Sequence, residues 1–293
     1  MSTERALVLG GGGLAGIAWH AGMLLGLSEG GVDAHDADLF VGTSAGATVA
    51  AQVAGGLPLD ECFARQVEPD LQNRELRPTG MTVADLWDTM VRLFEEVDDP
   101  AERRRRVAAM ALAADTVPEP VRRAVVAGRL PSHLWPAQRL AVVAVDASTG
   151  ERRVFDSGSG AGLVDAVAAS SAVPGIWPPV TFGGSRYVDG GVYSLANADL
   201  AAGYRRVLVL APMVDPDLTN QVDTLEESGR AAVVSPDDDS LAAFGADALD
   251  PAVRAPSARA GRRQGAAAAN ALRELWTAGP DWDARDSTGS PSE

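Results

Sequence analysis

The chain has 293 residues, 46% of them apolar, and a formal net charge of −15. That length holds one large or two ordinary domains with a sizeable core, and the acidic excess argues against nucleic acid as a partner and against strong adhesion to anionic lipid. There is no lysine and one cysteine, Cys62, which excludes an intact P-loop, Schiff-base chemistry, an intrachain disulfide and a cysteine-rich zinc site.

In chain order, the first feature is the apolar run Ala6 to Leu9, short and continuous as in a strand covered on both faces. It leads into Gly10-Gly11-Gly12-Gly13-Leu14-Ala15-Gly16, which opens a helix through Leu27. Consecutive glycines let backbone N–H groups converge at a helix N-terminus and bind negative charge. Two ligands suit such a nest, a pyrophosphate or the oxyanion of a tetrahedral acyl intermediate; a purely structural turn is the third reading. Gly11, Gly13 and Gly16 satisfy the dinucleotide spacing, with Asp33 or Asp36 near the distance of a ribose-binding acid. Both acids, however, precede the next strand, Leu39 to Val41, where a ribose-binding acid would end it.

That second strand runs into Gly42-Thr43-Ser44-Ala45-Gly46 and then a small-residue helix, Ala47 to Ala54. Strand, sharp turn and helix with a serine at the apex form a nucleophile elbow, with Gly42 and Gly46 permitting the bend. The plain alternative is a glycine-rich turn whose serine caps the helix. Residues 80–135 read as a helical insertion. Val83, Leu86, Trp87, Met90, Val91 and Phe94 recur there at helical spacing. The stripe either packs on the core or serves as a lid or lipid-facing helix; Asp85, Asp88, Glu95 and Glu96 weigh against anionic membranes. Arg103 to Arg106 read as a solvated helix face, with a local basic patch as the other reading.

Leu140 to Val145 and Val207 to Leu210 complete the strong strands, and Asp146 to Gly150 turns into a returning strand, Arg152 to Phe155. Asp189-Gly190-Gly191 is either a common Asp-Gly turn or the base that Ser44 would need. The second role arises because His20, His35 and His133 sit in no catalytic motif; they show no metal-ligand spacing either. Asp237 to Asp239 read as a solvated loop. The succession of elements predicts an α/β fold with a mostly parallel sheet, in one domain over 1–278 followed by a disordered tail over 279–293. With a polar N-terminus and no apolar run of spanning length, a cytoplasmic protein is expected. The sequence sets no oligomeric state.

Taken together, the glycine loop at 10–16, the serine turn at 42–46, Ala169 to Pro179 and Asp189-Gly190-Gly191 resemble the patatin-like phospholipases, over roughly residues 5 to 215. The resemblance implies a three-layer α/β/α fold and a Ser–Asp dyad, with Ser44 as nucleophile and Asp189 as base. It implies an oxyanion hole from the N–H groups of Gly11, Gly12 and Gly13. It further implies hydrolysis of lipid acyl esters through an acyl-enzyme without metal or cofactor, with lipid as the partner and transient contact with a membrane surface. One position departs from the family's pattern: Ala15 stands where a basic residue is usual. A protein that keeps the fold, binds lipid and has lost useful catalysis is therefore the competing expectation.

Overall fold

The computed structural model describes residues 4–277; the tail predicted over 279–293 lies outside the described residues. In chain order the elements are β1 (Arg5–Leu9), α1 (Gly13–Glu29), β2 (Leu39–Thr43), α2 (Ala45–Ala54), α3 (Leu59–Val67), α4 (Val83–Glu96), α5 (Pro100–Ala113) and α6 (Glu119–Arg129). There follow β3 (Arg139–Asp146), β4 (Arg152–Phe155), α7 (Leu163–Ser170), β5 (Val180–Phe182), β6 (Ser185–Asp189), β7 (Arg206–Leu210), α8 (Leu218–Glu226), β8 (Arg230–Val234), α9 (Asp238–Phe244) and α10 (Arg254–Thr277).

The sheet runs β5-β6-β3-β2-β1-β7-β8, with β4 also paired to β3. Its centre is parallel: β1 lies between β2 and β7, β2 pairs with β3, and β7 pairs with β8. The end built from β4, β5 and β6 is antiparallel. Strand alternation divides the core into layers. From β1, Leu7 and Leu9 face the larger cluster under α1, α2, α7 and α10, whereas Ala6 and Val8 face a second cluster with Tyr204, Val207 and Leu225. Both faces are apolar because both are covered, which gives the three-layer α/β/α arrangement.

Helix α1 has its longest contact with α10, and small residues set the spacing. A Cβ on Gly22 would stand 2.0 Å from the Ala258 carbonyl oxygen, and one on Gly26 would stand 2.2 Å from that of Arg262. Gly261 and Gly265 repeat the arrangement from the other helix, 2.4 Å from the Trp19 and Met23 carbonyl oxygens. The contacting atoms are backbone, so neither helix can yield locally. Gly22→Val is expected to destabilise the fold by roughly 3 kcal/mol or more, measured as a lower midpoint in urea. This packing matters to the site because α1 begins in the glycine loop.

Candidate active site

Ser44 occupies the junction of β2 and α2 with φ 53° and ψ −111°. A left-handed backbone at a non-glycine residue is strained and is held only by its surroundings. Here Gly46 N–H donates to the Gly10 carbonyl (3.1 Å) and Ser44 N–H donates to Ser170 Oγ (2.9 Å). The flanking glycines contribute differently from expectation. Neither Gly42 nor Gly46 has a positive φ; each is small because neighbouring backbone lies against it. A Cβ on Gly46 would come within 1.8 Å of the Leu9 carbonyl oxygen, and one on Gly42 within 2.5 Å of Ala47 Cα. The serine itself carries the strain of the bend, and the glycines let α2 press onto β1.

Asp189 ends β6, and the fold brings it beside Ser44 from the antiparallel end of the sheet. Its backbone N–H donates to the Ala172 carbonyl (3.0 Å), and its Oδ1 accepts from Gly191 N–H (2.8 Å). Ser170 and Ala172, both from the stretch singled out in the sequence, thus brace the serine and the aspartate respectively. Gly190 is forced small, since a Cβ there would meet the Val143 carbonyl oxygen at 2.4 Å. Burial raises the Asp189 carboxyl to about 7, against the lowering effects of the Gly191 N–H and the Ser44 hydroxyl. Oδ2 is buried without a partner in full hydrogen-bond geometry. The serine hydroxyl is thus near enough to favour the ionised form, but the bond between them is not closed in this state.

The N–H groups of the glycine loop differ in their hydrogen bonding. Gly11 N–H is committed to the Leu195 carbonyl (2.9 Å). Among the described residues, no hydrogen-bond partner exists for the N–H groups of Gly12, Gly13 or Ala45. The N–H groups of Gly12, Gly13 and Ala45 are therefore unpaired among the described residues, whereas that of Gly11 is taken. Ala45 follows the elbow serine, the position from which an elbow normally supplies an oxyanion donor, and that rule could have found it. Leu195 owes its place to a buried network: Ser194 Oγ donates to Asp215 Oδ2 (2.6 Å), Gln221 Nε2 donates to Ser194 Oγ (2.9 Å), and Asn197 Nδ2 donates to Thr43 Oγ1 (3.1 Å). Ala15 is fully buried in the main core, with its N–H on the Ala248 carbonyl (3.0 Å). A long cation at position 15 would have to displace that packing.

Gly13, Ser44 and Ala45 open into a cleft of ≈390 Å³, including its solvent-exposed part, lined further by Glu75, Arg122, Arg129, Trp177 and Leu249. None of the histidines reaches it. His20 is buried beside the Leu210 carbonyl (3.3 Å), and desolvation lowers it to about 4; His35 contacts Asp33 and His133 contacts Ala127. Asp33 caps the turn Ala34–Asp36 and Asp36 pairs with Arg5, so neither acid ends β2 as a dinucleotide site requires. Among the described residues no group of three or more His, Cys, Asp or Glu side chains is placed to hold a metal ion.

The profile of the patatin-like phospholipases matches residues 7–202. The chain belongs to the patatin-like phospholipase family. The matched span holds the glycine loop, the elbow and the late aspartate of this patatin-like domain. The region beyond 202, including α10 and the Leu249 side of the cleft, lies outside the match. No curated protein matches the chain. Among solved structures it is similar to VipD from Legionella pneumophila, at 13% identity over 92% of this chain and 67% of that one, with a TM-score of 0.49. It is also similar to the type III effector protein ExoU, at 16% identity over 93% of this chain and 54% of that one, with a TM-score of 0.42. The chain spans about half the length of ExoU.

Proposed function

We propose that the protein hydrolyses acyl esters of lipids, of the phospholipid or lysophospholipid class, through a Ser44–Asp189 dyad. The observation that carries this reading is the strained, braced Ser44 with the buried Asp189 carboxyl beside it and the unpaired N–H groups of Gly13 and Ala45 belonging to residues that line the same cleft. Asp189, ionised, takes the Ser44 proton as the hydroxyl oxygen attacks the acyl carbon. The oxyanion that develops is met by Gly12, Gly13 and Ala45 N–H, donors already in place before reaction. The proton passes to the leaving alcohol, and water then cleaves the acyl-enzyme by the same route. Residues 1–278 act as one acyl hydrolase domain in this reading, with 80–135 as its helical insertion, and the protein acts in the cytoplasm. Ser44→Ala is expected to lower turnover of an acyl-ester panel by 10³-fold or more, on the order of what general-base and nucleophile loss cost, and to abolish labelling by a fluorophosphonate. Persistence of either in the folded variant would remove the serine from the chemistry.

The stripe on α4 supports contact with a lipid surface. None of its residues is buried, and Trp87, Val91 and Phe94 are about half exposed. The helix start is tied to the cleft wall, with Met81 N–H donating to the Gly175 carbonyl (3.1 Å) two residues before Trp177. Amphipathic faces of this kind lie in interfaces, and the acidic residues flanking the stripe select a neutral or zwitterionic one. The double variant Trp87→Ser, Phe94→Ser is expected to lower the ratio of vesicle turnover to soluble-ester turnover at least fivefold; an unchanged ratio would return the stripe to solvent. Among the described residues no helix is long and apolar enough to cross a membrane.

A further inference from the structure

The cleft beside Ser44 contains a buried charge imbalance that the dyad does not use. Arg129 forms a two-point pair with Glu75, Nε to Oε1 at 3.2 Å and Nη2 to Oε2 at 2.7 Å. Both carboxylate oxygens are thereby occupied. Arg122, about two turns earlier on α6, reaches the same Oε2 only at 3.5 Å through Nη1. Its Nε and Nη1 are buried and lack any hydrogen-bond partner, although the residue is only 6% exposed. Arg254 adds a third guanidinium to the cluster, and its donors go to neutral acceptors: Gln66 Oε1, the Asn73 carbonyl and the Arg65 carbonyl. Two of the three cations thus share the Glu75 carboxylate and the third binds only neutral acceptors, in a chain whose net charge is −15.

A buried guanidinium whose only ion pair is long and shared, and whose Nε and Nη1 lack hydrogen bonds, is costly to a fold, and a stable fold has simpler ways to fill the same space. Burial, followed by the charge of Arg129, lowers Arg122 to about 9, which still leaves it charged near neutrality. Its plane is held by Trp177, whose ring lies 3.9 Å from the guanidinium carbon. A stacked, oriented and unsatisfied guanidinium is suited to a carboxylate or a phosphate. Which of the two follows from the neighbouring chemistry. A fatty carboxylate is created at Ser44 itself, among the Gly12, Gly13 and Ala45 donors. An anion met further along the same cleft belongs to the alcohol side of the ester.

We propose that Arg122, oriented by Trp177 and left unsatisfied by the Arg129–Glu75 pair, receives the phosphate of the lipid and selects phosphate-bearing esters over neutral ones. The inference rests on the Ser44 reading for the direction in which the substrate lies, and its test is a binding measurement that needs no hydrolysis. The probes are a non-hydrolysable ether lysophospholipid, the alkylglycerol of the same chain length, glycerol 3-phosphate, and the free fatty acid, all below their critical micelle concentrations and titrated calorimetrically. The wild-type protein should bind the ether lysophospholipid at least tenfold more tightly than the alkylglycerol. Arg122→Gln should erase that difference and Arg122→Lys should keep part of it.

Glu75→Gln supplies a control of opposite sign. It removes the competing carboxylate charge while retaining an acceptor for Arg129, so the preference for phosphate should widen. A purely structural ion cluster predicts no phosphate preference to widen. Equal affinities in the wild type, a preference that survives in Arg122→Gln, or one that narrows in Glu75→Gln would each overturn the assignment. So would glycerol 3-phosphate or the fatty acid binding as tightly as the ether lysophospholipid, since these would identify a soluble phosphate ester or the released carboxylate as the ligand. If Ser44→Ala retained ester turnover, the hydrolase reading would fail while the phosphate preference could still be measured independently.

Discussion

Asp189→Asn is expected to cut acyl-ester turnover by about 10³-fold and, at the same time, to make the protein more stable above neutral pH. The two effects have one cause. Asp189 is raised from 3.8 to about 7 chiefly by burial, so its ionised form is costly to the fold and useful to the reaction. Below pH about 4 the carboxyl is protonated in both folded and unfolded chains and imposes no penalty. As pH rises toward 7 the unfolded chain loses this proton more readily than the folded one, and stability falls; above 7 the penalty is complete. A shift of this size corresponds to a ceiling on the order of 4 kcal/mol. Asparagine keeps the shape and an acceptor for Gly191 N–H without the charge. Thermal unfolding at pH 8 should therefore show the variant melting higher, by roughly 3–8 °C, with the gain shrinking toward zero near pH 4. The wild-type kcat/KM should rise with pH and level off above about 7, because the base acts only when ionised. A variant that loses activity but melts lower at pH 8 would make Asp189 a structural anchor.

The sequence made much of this arrangement legible, and what it concealed has physical causes. The central strands announced themselves because double coverage demands continuous apolar runs: Ala6 to Leu9, Leu39 to Val41, Leu140 to Val145 and Val207 to Leu210 all lie inside observed strands. β5 has three residues, and β6 mixes Ser185 and Arg186 with apolar positions; at the other edge, Arg230 opens the half-exposed β8. Short strands at or next to a sheet edge need no uniform pattern, so none was evident. Ser44 and Asp189 stood out through their glycine-marked turns, which are local signals. The commitment of Gly11 to Leu195 is not local. It depends on a loop 184 residues later, held in place by Ser194, Asn197, Asp215 and Gln221. Arg122 and Glu75 likewise carry no motif; their charges become informative only when α6 sets them in one cleft. The stripe on α4 shows the converse limit, since helical periodicity fixed the face but not whether protein or lipid would cover it.

Gly13→Ala is expected to reduce kcat by about 10²-fold or more, the scale associated with disturbing one oxyanion donor. Gly13 has φ +63°, and a Cβ there would stand 2.8 Å from the Ala248 carbonyl oxygen and 3.0 Å from Leu249 Cδ2. Two costs are combined: backbone strain, and displacement of the loop against a segment that α10 holds in place. Gly56 separates them. It has φ +80° and nothing within 4 Å of an added Cβ, so Gly56→Ala incurs strain alone, on the order of 1–2 kcal/mol of stability. Both variants should lose stability, and only Gly13→Ala should lose kcat. A rearranged donor acts on the transition state more than on the bound ester, so the loss should appear in kcat rather than KM. Equal kinetic losses in the two variants would mean that turnover follows general stability, and that the N–H groups of the glycine loop take no part in the chemistry.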